Sequence, residues 1–331
     1  MTYRVVVTDF VADDLEPERR VLGGLASVEA LAAAREEDLA GRVDDADAVM
    51  MYHTMPLTSQ TIGRLRRCKL IVRCGVGVDN VDHAFAAGRG IPVANVPDYG
   101  TEDVADSAIG MALTLARGTH YLNSRLRCGE GRWSYTQAAP VRRLRGRVFG
   151  IVGLGRIGTA AAVRAKALGM EVVFYDPYKP DGYDKALGVR RVESLEELLR
   201  RSHVLSLHCP LTPQTARMID AAAMSLMPRG SFLVNTSRGE VVDLDAVVGA
   251  IESGQLAGAG IDVLPQEPPA GDERILAAWR DPQHPCHHRL ILNPHAAFYS
   301  EEGLMDMRVG GAEACRRALL GEPLRNVVNA P

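Results

Sequence analysis

Hydrophobic and polar positions alternate along residues 1–100 in short blocks that predict strands and helices in turn. The apolar runs are separated by polar segments with helical spacing, such as Ser59–Arg67 and Asp82–Ala87. This alternation is typical of a parallel sheet with helices on both faces. The strands predicted here are Arg4–Thr8, Val28–Leu31, Ala48–Tyr52, Leu70–Arg73 and Pro92–Ala94.

The same rhythm continues in a second set of strands after residue 147. Ser194 and Glu197 form a capping box that opens one helix, Asp243 caps another, and a further helix runs from Ser300 to about Leu320. Each strand is followed by polar residues, and ligands of doubly wound sheets bind beyond the carboxyl ends of the strands. The predicted strands are Val148–Val152, Val172–Tyr175, His203–His208, Ser231–Asn235, Ala259–Val263 and Leu290–Leu292.

The most specific pattern lies between Arg147 and Asp176. An apolar run leads into Gly153-Leu154-Gly155-Arg156-Ile157-Gly158, a G-x-G-x-x-G, and a helix-like segment and a second apolar run follow. The first glycine allows a tight turn, the second lets the backbone approach a pyrophosphate at the helix N-terminus, and the third allows close helix–strand packing. The alternative is a purely structural βαβ unit, but the full context favours a dinucleotide site.

The acid at the end of this pattern bears on the choice of dinucleotide. Asp176 can accept hydrogen bonds from both ribose hydroxyls and would repel a 2′-phosphate. The pattern therefore predicts NAD rather than NADP. Lys179, three residues further on, is the one feature that leaves dual use open.

Length, charge and cysteine usage narrow the class of protein. A chain of 331 residues exceeds one ordinary core, so we expect two domains. The net charge of −3 gives no electrostatic case for binding nucleic acid or a membrane surface. No apolar run approaches the ~20 residues of a membrane span, and no signal-peptide pattern opens the chain. Six scattered cysteines without a C-x-x-C favour reduced thiols, and we expect a cytoplasmic protein.

Three residues at strand ends match what a nicotinamide enzyme acting on a 2-oxo acid requires. Such an enzyme needs a cation for the carboxylate and carbonyl, an acid that protonates the new alkoxide, and a carboxylate that keeps this acid charged. Arg238, His295 and Glu267 supply these groups. Each also has a plainer interpretation, as a surface arginine, a strand-end histidine and a solvated loop acid, and spacing alone leaves their convergence open.

Short motifs spread over nearly the full length carry a family resemblance. They are VRCGVGVDNVD (72–82), NVPDYGTEDVADS (95–107), GIVGLGRIG (150–158), FYDPY (174–178), LHCPLT (207–212), LVNTSRGEVVD (233–243), GIDVLPQEPP (260–269) and NPHAAF (293–298). On these motifs the chain resembles the D-isomer-specific 2-hydroxyacid dehydrogenase family. Within the family it looks most like the C-terminal-binding-protein branch, which MYHT (51–54) and HAAFYSEE (295–302) also resemble.

The resemblance implies a fold, an activity and an assembly. The fold is α/β, with two doubly wound parallel-sheet domains and an active-site cleft between them. Residues 1–118 and 299–331 would form a flavodoxin-like substrate domain, and residues 119–298 a Rossmann domain for NAD. The implied activity is reduction of a small 2-oxo acid to the D-2-hydroxy acid by a homodimer. Arg238, Glu267 and His295 would be catalytic.

The resemblance also implies which residues bind the ligands. The expected cofactor contacts are Gly153, Gly155, Arg156, Ile157, Gly158, Asp176, His208, Cys209, Pro210, Thr215, Thr236 and Asp262. The expected substrate contacts are Tyr52, Arg73, Val76, Gly77 and Phe298, with backbone N–H groups at Val76 and Gly77 on the carboxylate.

Two of the expected substrate contacts bear on the shape of the substrate. The C-terminal-binding-protein branch has tryptophan at the place of Phe298, so the aromatic wall stays and the indole N–H is lost. Arg73 favours a substrate with a second anionic or polar group. Its plainer interpretation is a strand-end arginine paired with a nearby acid.

Two positions differ from those of related dehydrogenases, and the differences argue against phosphite or formate as the substrate. Val76 stands where phosphite dehydrogenases carry lysine, and Glu267 stands where formate dehydrogenases carry glutamine. His284-Pro285-Cys286-His287-His288 has no matching pair elsewhere, so we expect no metal there. Cys209 is expected to pack against the cofactor rather than act as a nucleophile.

A second hypothesis comes from the same branch. It includes corepressors that use the fold as an NADH-sensing dimeric scaffold, and the chain could likewise be a partner-binding protein with weak activity. The intact catalytic trio counts against this alternative.

Overall fold

The computed structural model describes residues 2–329, which divide into two compact units. The first unit combines Met1–Gly100 with Ser300–Pro331, and the second is Thr101–Tyr299. Each unit is built on a parallel sheet with helices packed on it, as the sequence predicts. None of the described helices is long and apolar enough to cross a bilayer.

The first unit has a five-stranded sheet with the order β2-β1-β3-β4-β5. This is the flavodoxin-like order, so the predicted fold class is confirmed for this unit. Its central strands are buried on both faces, which is why they read as unbroken apolar runs. With both units numbered in chain order, the strands are β1 Tyr3–Val7, β2 Ala26–Ala30, β3 Ala48–Met51, β4 Ile71–Arg73 and β5 Val93–Asn95, and the helices are α1 Glu16–Leu22, α2 Ser59–Ile62, α3 His83–Gly88 and α12 Glu301–Leu320.

The second unit has a seven-stranded parallel sheet with the order β12-β11-β10-β9-β6-β7-β8. The strand order reverses at β6, which is the Rossmann arrangement. The strands are β6 Val148–Val152, β7 Glu171–Tyr175, β8 Arg190–Arg191, β9 Val204–Leu207, β10 Ser231–Asn235, β11 Leu256–Ile261 and β12 Leu290–Leu292. The helices are α4 Thr101–Ala116, α5 Thr119–Arg127, α6 Arg156–Ala167, α7 Tyr183–Leu187, α8 Leu195–Arg201, α9 Ala221–Leu226, α10 Leu244–Glu252 and α11 Arg274–Arg280.

The boundary between the units lies earlier than the sequence predicts. Residues 101–118 were expected in the first domain, but α4 groups with the second unit because it packs on α6, β10 and β11. Two glycines of β11 make this packing possible. A Cβ on Gly260 would lie 3.0 Å from the Cβ of Met111, and one on Gly258 would lie 3.1 Å from Leu115. Gly258 also hides the start of β11 at Leu256, because the strand was predicted only from Ala259.

A buried ionic cluster joins the two ends of the first unit. The Arg308 guanidinium on α12 donates to both carboxylate oxygens of Glu18 on α1, each at 2.7 Å, and to Asp13 at 2.7 and 2.9 Å. Glu18 is fully buried and Arg308 nearly so. The hydrogen bonds from Arg308 lower the pKa of Asp13, and the two carboxylates raise the pKa of Arg308. The cluster therefore ties segments 290 residues apart in sequence.

Arg308→Met should strongly destabilise the first unit, because it leaves the Glu18 carboxylate buried without a counter-charge. We expect a loss of about 3–5 kcal/mol in the free energy of unfolding, measured by urea titration. The matched control is Arg20→Met, which removes an exposed arginine 3.9 Å from Glu16 and should change stability by less than ~0.5 kcal/mol. Equal unfolding curves for the two variants would contradict this role for the cluster.

Candidate active site

The predicted cofactor residues lie along one edge of the second unit's sheet. Gly153 follows β6, Asp176 follows β7, His208 follows β9, Thr236 follows β10 and Asp262 follows β11. In a parallel sheet these carboxyl ends share one edge, and the reversal of strand order at β6 opens a crevice there. The position agrees with a dinucleotide site.

The three glycines of the loop meet three different steric demands. Gly153 has a φ of +87°, and a Cβ on it would lie 2.9 Å from the backbone of His208 and Cys209. A Cβ on Gly155 would meet nothing within 4 Å, so the space over the N-terminus of α6 stays open. A Cβ on Gly158 would lie 2.1 Å from the carbonyl oxygen of Gly153. The roles that the sequence assigned to these positions agree with this geometry.

The Asp176 carboxylate is fixed beside this loop. Its Oδ2 accepts from the N–H of Leu154 at 2.9 Å, and its Oδ1 accepts from the N–H of Tyr178 at 3.0 Å. Arg156 and Ile157 are the first two residues of α6 and so stand at the helix N-terminus. A preset acid next to an open helix N-terminus matches the ribose and pyrophosphate of a dinucleotide.

Two buried polar atoms at the same edge have no partner among the described residues: Nδ1 of His208 and Oγ1 of Thr236. Burial lowers the pKa of His208 to about 4, so its ring is neutral near pH 7, and its Nε2 pairs with the Ser206 hydroxyl at 2.9 Å. Buried polar groups are rarely left unpaired. These two atoms therefore fit a site that is completed by a polar ligand such as NAD.

The neighbouring segment, residues 209–215, is held in place by burial and by hydrogen bonds within its own turn. Burial raises the pKa of the Cys209 thiol to about 11, so it stays protonated, in keeping with packing rather than nucleophilic chemistry. The Thr215 hydroxyl donates to the carbonyl of Pro210 at 2.7 Å and accepts from the N–H of Thr212 at 2.8 Å. Thr215 thus holds this turn, and a cofactor contact for it stays a prediction.

His295 and Glu267 meet directly. His295 Nδ1 lies 2.6 Å from Glu267 Oε2, and Glu267 Oε1 accepts from the N–H of Leu264 at 2.8 Å. The carboxylate therefore fixes the orientation of the imidazole through one ring nitrogen. The Phe298 ring stands edge-on to the imidazole, with centroids 6.0 Å apart.

The backbone of His295 is held in an unusual conformation by a residue whose role the sequence did not predict. His295 has a φ of +51°, a left-handed conformation that costs energy for a residue with a Cβ and is typical of functional sites. The buried Asp262 accepts from the N–H groups of Ala296 at 3.0 Å and Ala297 at 3.1 Å, and its carbonyl accepts from the N–H of His295 at 2.8 Å. Burial raises the pKa of Asp262, and these N–H donors oppose that rise. Asp262 therefore anchors the His295 turn, and its predicted contact with the cofactor stays a prediction.

The Arg238 turn has a similar anchor. The buried Asn235 accepts from the N–H and hydroxyl of Ser237 at 3.0 and 2.8 Å, and its amide donates to the carbonyl of Arg238 at 2.9 Å. A Cβ on Gly239 would lie 2.1 Å from the carbonyl carbon of Leu264, so this turn packs on the loop that carries Glu267. Sequence reasoning missed Asn235, although it opens the NTSRG segment.

The predicted substrate residues of the first unit lie at the carboxyl ends of β3 and β4. Tyr52 follows β3 and is fully buried, with its N–H donating to Asp9 at 2.8 Å, so its ring packs within the core. Arg73 ends β4, is buried, and donates to the carbonyl of Cys74 at 3.2 Å. Val76 and Gly77 follow in the next loop, with Val76 exposed. Their contact with substrate stays a prediction.

The histidines of segment 284–288 turn to separate partners. His284 pairs with Glu252 at 3.1 Å, His287 with the carbonyl of Trp279 at 2.7 Å, and His288 with Glu130 at 3.1 Å. Within residues 2–329, no group of three or more His, Cys, Asp or Glu side chains is arranged to hold a metal.

Comparison with known proteins decides the family. The family model for the D-isomer specific 2-hydroxyacid dehydrogenase NAD binding domain matches residues 109–297, more than half of the chain. The chain belongs to this family. The matching domain is an NAD binding domain, so the cofactor is NAD, in agreement with the glycine loop and Asp176.

The relatives of this chain include a dehydrogenase and a C-terminal-binding protein. The chain is 33% identical over 328 residues to D-3-phosphoglycerate dehydrogenase of Methanocaldococcus jannaschii, with 99% of this chain and 60% of the relative covered. It is 33% identical over 314 residues to C-terminal-binding protein 1 of Caenorhabditis elegans, with 93% and 42% covered. The chain thus spans 60% and 42% of the lengths of these two relatives.

A solved structure resembles the whole chain. D-lactate dehydrogenase from Aquifex aeolicus, complexed with NAD and lactic acid, has a TM-score of 0.85 and 28% identity, with 99% of each chain covered. The predicted resemblance to the family, with C-terminal-binding-protein relatives, is therefore confirmed.

Substitutions of two loop glycines should separate cofactor binding from stability. Gly155→Val fills open space over α6, so it should weaken NADH binding about tenfold or more, through lost charged hydrogen bonds, and change stability little. Gly158→Ala forces a Cβ against the Gly153 carbonyl and should lower the free energy of unfolding by about 1–3 kcal/mol. NADH fluorescence titration and urea unfolding measure the two effects. Wild-type NADH affinity in Gly155→Val would contradict the assigned position of the pyrophosphate.

Proposed function

We propose that this protein is an NAD-dependent D-2-hydroxyacid dehydrogenase in which His295 acts as general acid and base. The observation that supports the proposal is the 2.6 Å contact between His295 and Glu267, on a loop against which the Arg238 turn packs. An arginine, a histidine and its carboxylate partner are the groups that reduction of a 2-oxo acid requires. The similar solved structure carries NAD and lactic acid, a 2-hydroxy acid.

Each residue of the trio has a distinct task in this proposal. NADH, when bound, supplies the hydride that reduces the carbonyl carbon. Arg238 binds the substrate carboxylate and polarises the carbonyl, and His295 gives the proton from Nε2 to the carbonyl oxygen. Glu267 stabilises the imidazolium through Nδ1–H and loses no proton itself. His295 is left neutral and takes a proton from solvent before the next cycle.

The proposal extends to residues of the first unit. In this proposal, backbone N–H groups at Val76 and Gly77 contact the substrate carboxylate, and Arg73 selects a substrate with a second anionic or polar group. Phe298, edge-on to His295, forms an apolar wall beside the reacting carbon. The substrate class is therefore a small 2-oxo acid with a polar tail.

His295→Gln should lower kcat/KM by about 10²–10⁴, because it removes the proton donor and leaves the glycine loop intact. The matched control is His284→Gln. His284 also pairs with a carboxylate, that of Glu252 at 3.1 Å, and its side chain is about as exposed as that of His295. The control should keep wild-type turnover, and both variants should bind NADH normally. NADH oxidation is measured with glyoxylate, pyruvate, hydroxypyruvate, phenylpyruvate, 2-oxoglutarate and phosphonopyruvate.

Two results of that panel would count against the proposal. Wild-type kcat/KM in His295→Gln would remove His295 from catalysis. Tight NADH binding with no turnover of any acid would favour the second candidate, an NADH-sensing scaffold. The 33% identity to a C-terminal-binding protein is the observation that keeps this candidate in view.

We also propose that the protein is a homodimer. Trp133 and Tyr135 follow α5 and are 90% and 84% exposed, and large exposed aromatic side chains close together are typical of interaction surfaces. The double variant Trp133→Ser/Tyr135→Ser should be monomeric by light scattering. Tyr178→Ser, which removes an aromatic ring that is 86% exposed elsewhere in the same unit, should leave the dimer intact. A dimeric double variant would contradict this interface.

A further inference from the structure

A cavity of about 270 Å³ lies at the amino-end edge of the second unit's sheet. Arg147, His203, Gly230 and Arg289 line it, and each directly precedes a strand or begins the turn into one. Because all seven strands are parallel, this edge is opposite to the one that carries the glycine loop, Asp176 and the catalytic trio. The cavity is thus separate from the site described above.

The walls of this cavity carry an unusual concentration of positive charge. Five arginines and three histidines line it, and among the described residues that form its walls there is no aspartate or glutamate. The chain as a whole carries a net charge of −3, so the positive charge of the cavity walls is opposite in sign to the net charge of the chain. The arginines are Arg142, Arg143, Arg147, Arg229 and Arg289, and the histidines are His120, His203 and His288. Burial lowers the pKa of each of these histidines, so the arginines carry the positive charge.

The arginines are oriented by neutral groups. Arg147 contacts His203 Nε2 at 2.8 Å, Arg229 donates to the carbonyl of Ser253, and Arg289 donates to the carbonyl of Ala257 at 3.2 Å. In the part of the chain that the structure describes, none of the five arginines has a carboxylate within salt-bridge distance. Their charge is therefore uncompensated by the protein, and the field in the cavity favours an anion.

Two of the lining histidines differ in their hydrogen bonding. His288 is held by Glu130 at 3.1 Å and by Ser124 at 2.8 Å, and Glu130 is in turn paired with Arg125 at 3.0 Å. The buried Nε2 of His120 has no hydrogen-bond partner among the described residues. An unpaired buried ring nitrogen in a cavity lined with arginines is a further sign that a polar ligand completes the site.

We propose that this cavity, the arginine pocket, binds a small multiply charged anion, a phosphate ester or a polycarboxylate. Guanidinium groups match the planar, forked geometry of phosphate and carboxylate oxygens. The volume lies just below the range of about 300–1,000 Å³ for small-molecule sites, so a small anion fits and a nucleic acid does not. An anion there would also hold residues 137–144, which form one wall, against the amino ends of the strands.

The test is thermal unfolding of the full chain with saturating NADH, which occupies the glycine loop and removes it as a competing anion site. Sodium pyrophosphate and sodium citrate are titrated against sodium chloride at matched ionic strength. We expect pyrophosphate, citrate or both to raise the unfolding midpoint saturably and sodium chloride to have no such effect. A response to pyrophosphate alone identifies a phosphate site, and a response to citrate alone identifies a polycarboxylate site.

Charge-matched variants locate the effect. Arg142→Gln/Arg229→Gln removes two exposed arginines of the pocket and should weaken the apparent anion affinity about tenfold or more. Arg190→Gln/Arg200→Gln removes the same charge from the surface of the same unit and should leave the affinity unchanged. Circular dichroism and NADH titration check that both double variants fold and bind cofactor.

Three outcomes would overturn the proposal. The first is a midpoint shift no larger with pyrophosphate or citrate than with sodium chloride. The second is a wild-type response in the Arg142→Gln/Arg229→Gln variant. The third is a change of that variant from dimer to monomer in light scattering with no anion response in the wild type, because the pocket would then be a contact for a second copy of the chain.

Discussion

The common direction of the seven strands in the second unit is the constraint on which the functional geometry depends. Because every strand runs the same way, the segments that leave the sheet all leave at one edge and those that enter it all arrive at the other. The edge at the carboxyl ends of the strands carries the glycine loop, Asp176, Thr236 and the turns of Arg238 and His295. The edge at the amino ends of the strands carries the arginines that precede β6, β10 and β12. One topological fact thus creates two chemically different edges.

Buried polar side chains convert this topology into precise geometry. Asn235 and Asp262 lie at the ends of β10 and β11. Asn235 hydrogen-bonds to the backbone of the turn that follows β10, and Asp262 to the backbone of the turn that follows β12. A buried amide or carboxylate is stable only when it is fully paired, so these residues and their turns specify each other. The left-handed backbone of His295 is held in the same way, through its N–H bond to Asp262. The reactive side chains are therefore placed by anchors that need not touch substrate.

The sequence predicts the parts of this structure that depend on local patterns. Strands β6, β10 and β12 occur with the predicted residues, because each is a continuous apolar run bounded by polar or glycine residues. The start of β11 at Leu256 was missed because Gly258 interrupts its apolar pattern, and this glycine makes room for Leu115 of α4, more than a hundred residues away in sequence. The sequence also does not determine which unit α4 joins, since an apolar helix face does not say which sheet it covers.

The candidate site likewise contains features that the sequence predicts and features that depend on the fold. Residue types and family motifs point to Arg238, Glu267 and His295, and the 2.6 Å contact between the last two agrees with the predicted pairing. The anchoring roles of Asn235 and Asp262 depend on turn geometry, which no spacing rule encodes. The arginine pocket is assembled from positions between 120 and 289, so no local segment carries its signature.

The configuration of the reduced product tests the proposed activity most directly. The protein is incubated with NADH and the 2-oxo acid that it turns over fastest, and the 2-hydroxy acid is resolved by chiral chromatography. We predict the D-enantiomer alone, because a single face of the carbonyl meets the hydride while His295 protonates the oxygen. The L-enantiomer, a racemic product or no product with any 2-oxo acid would contradict the assignment.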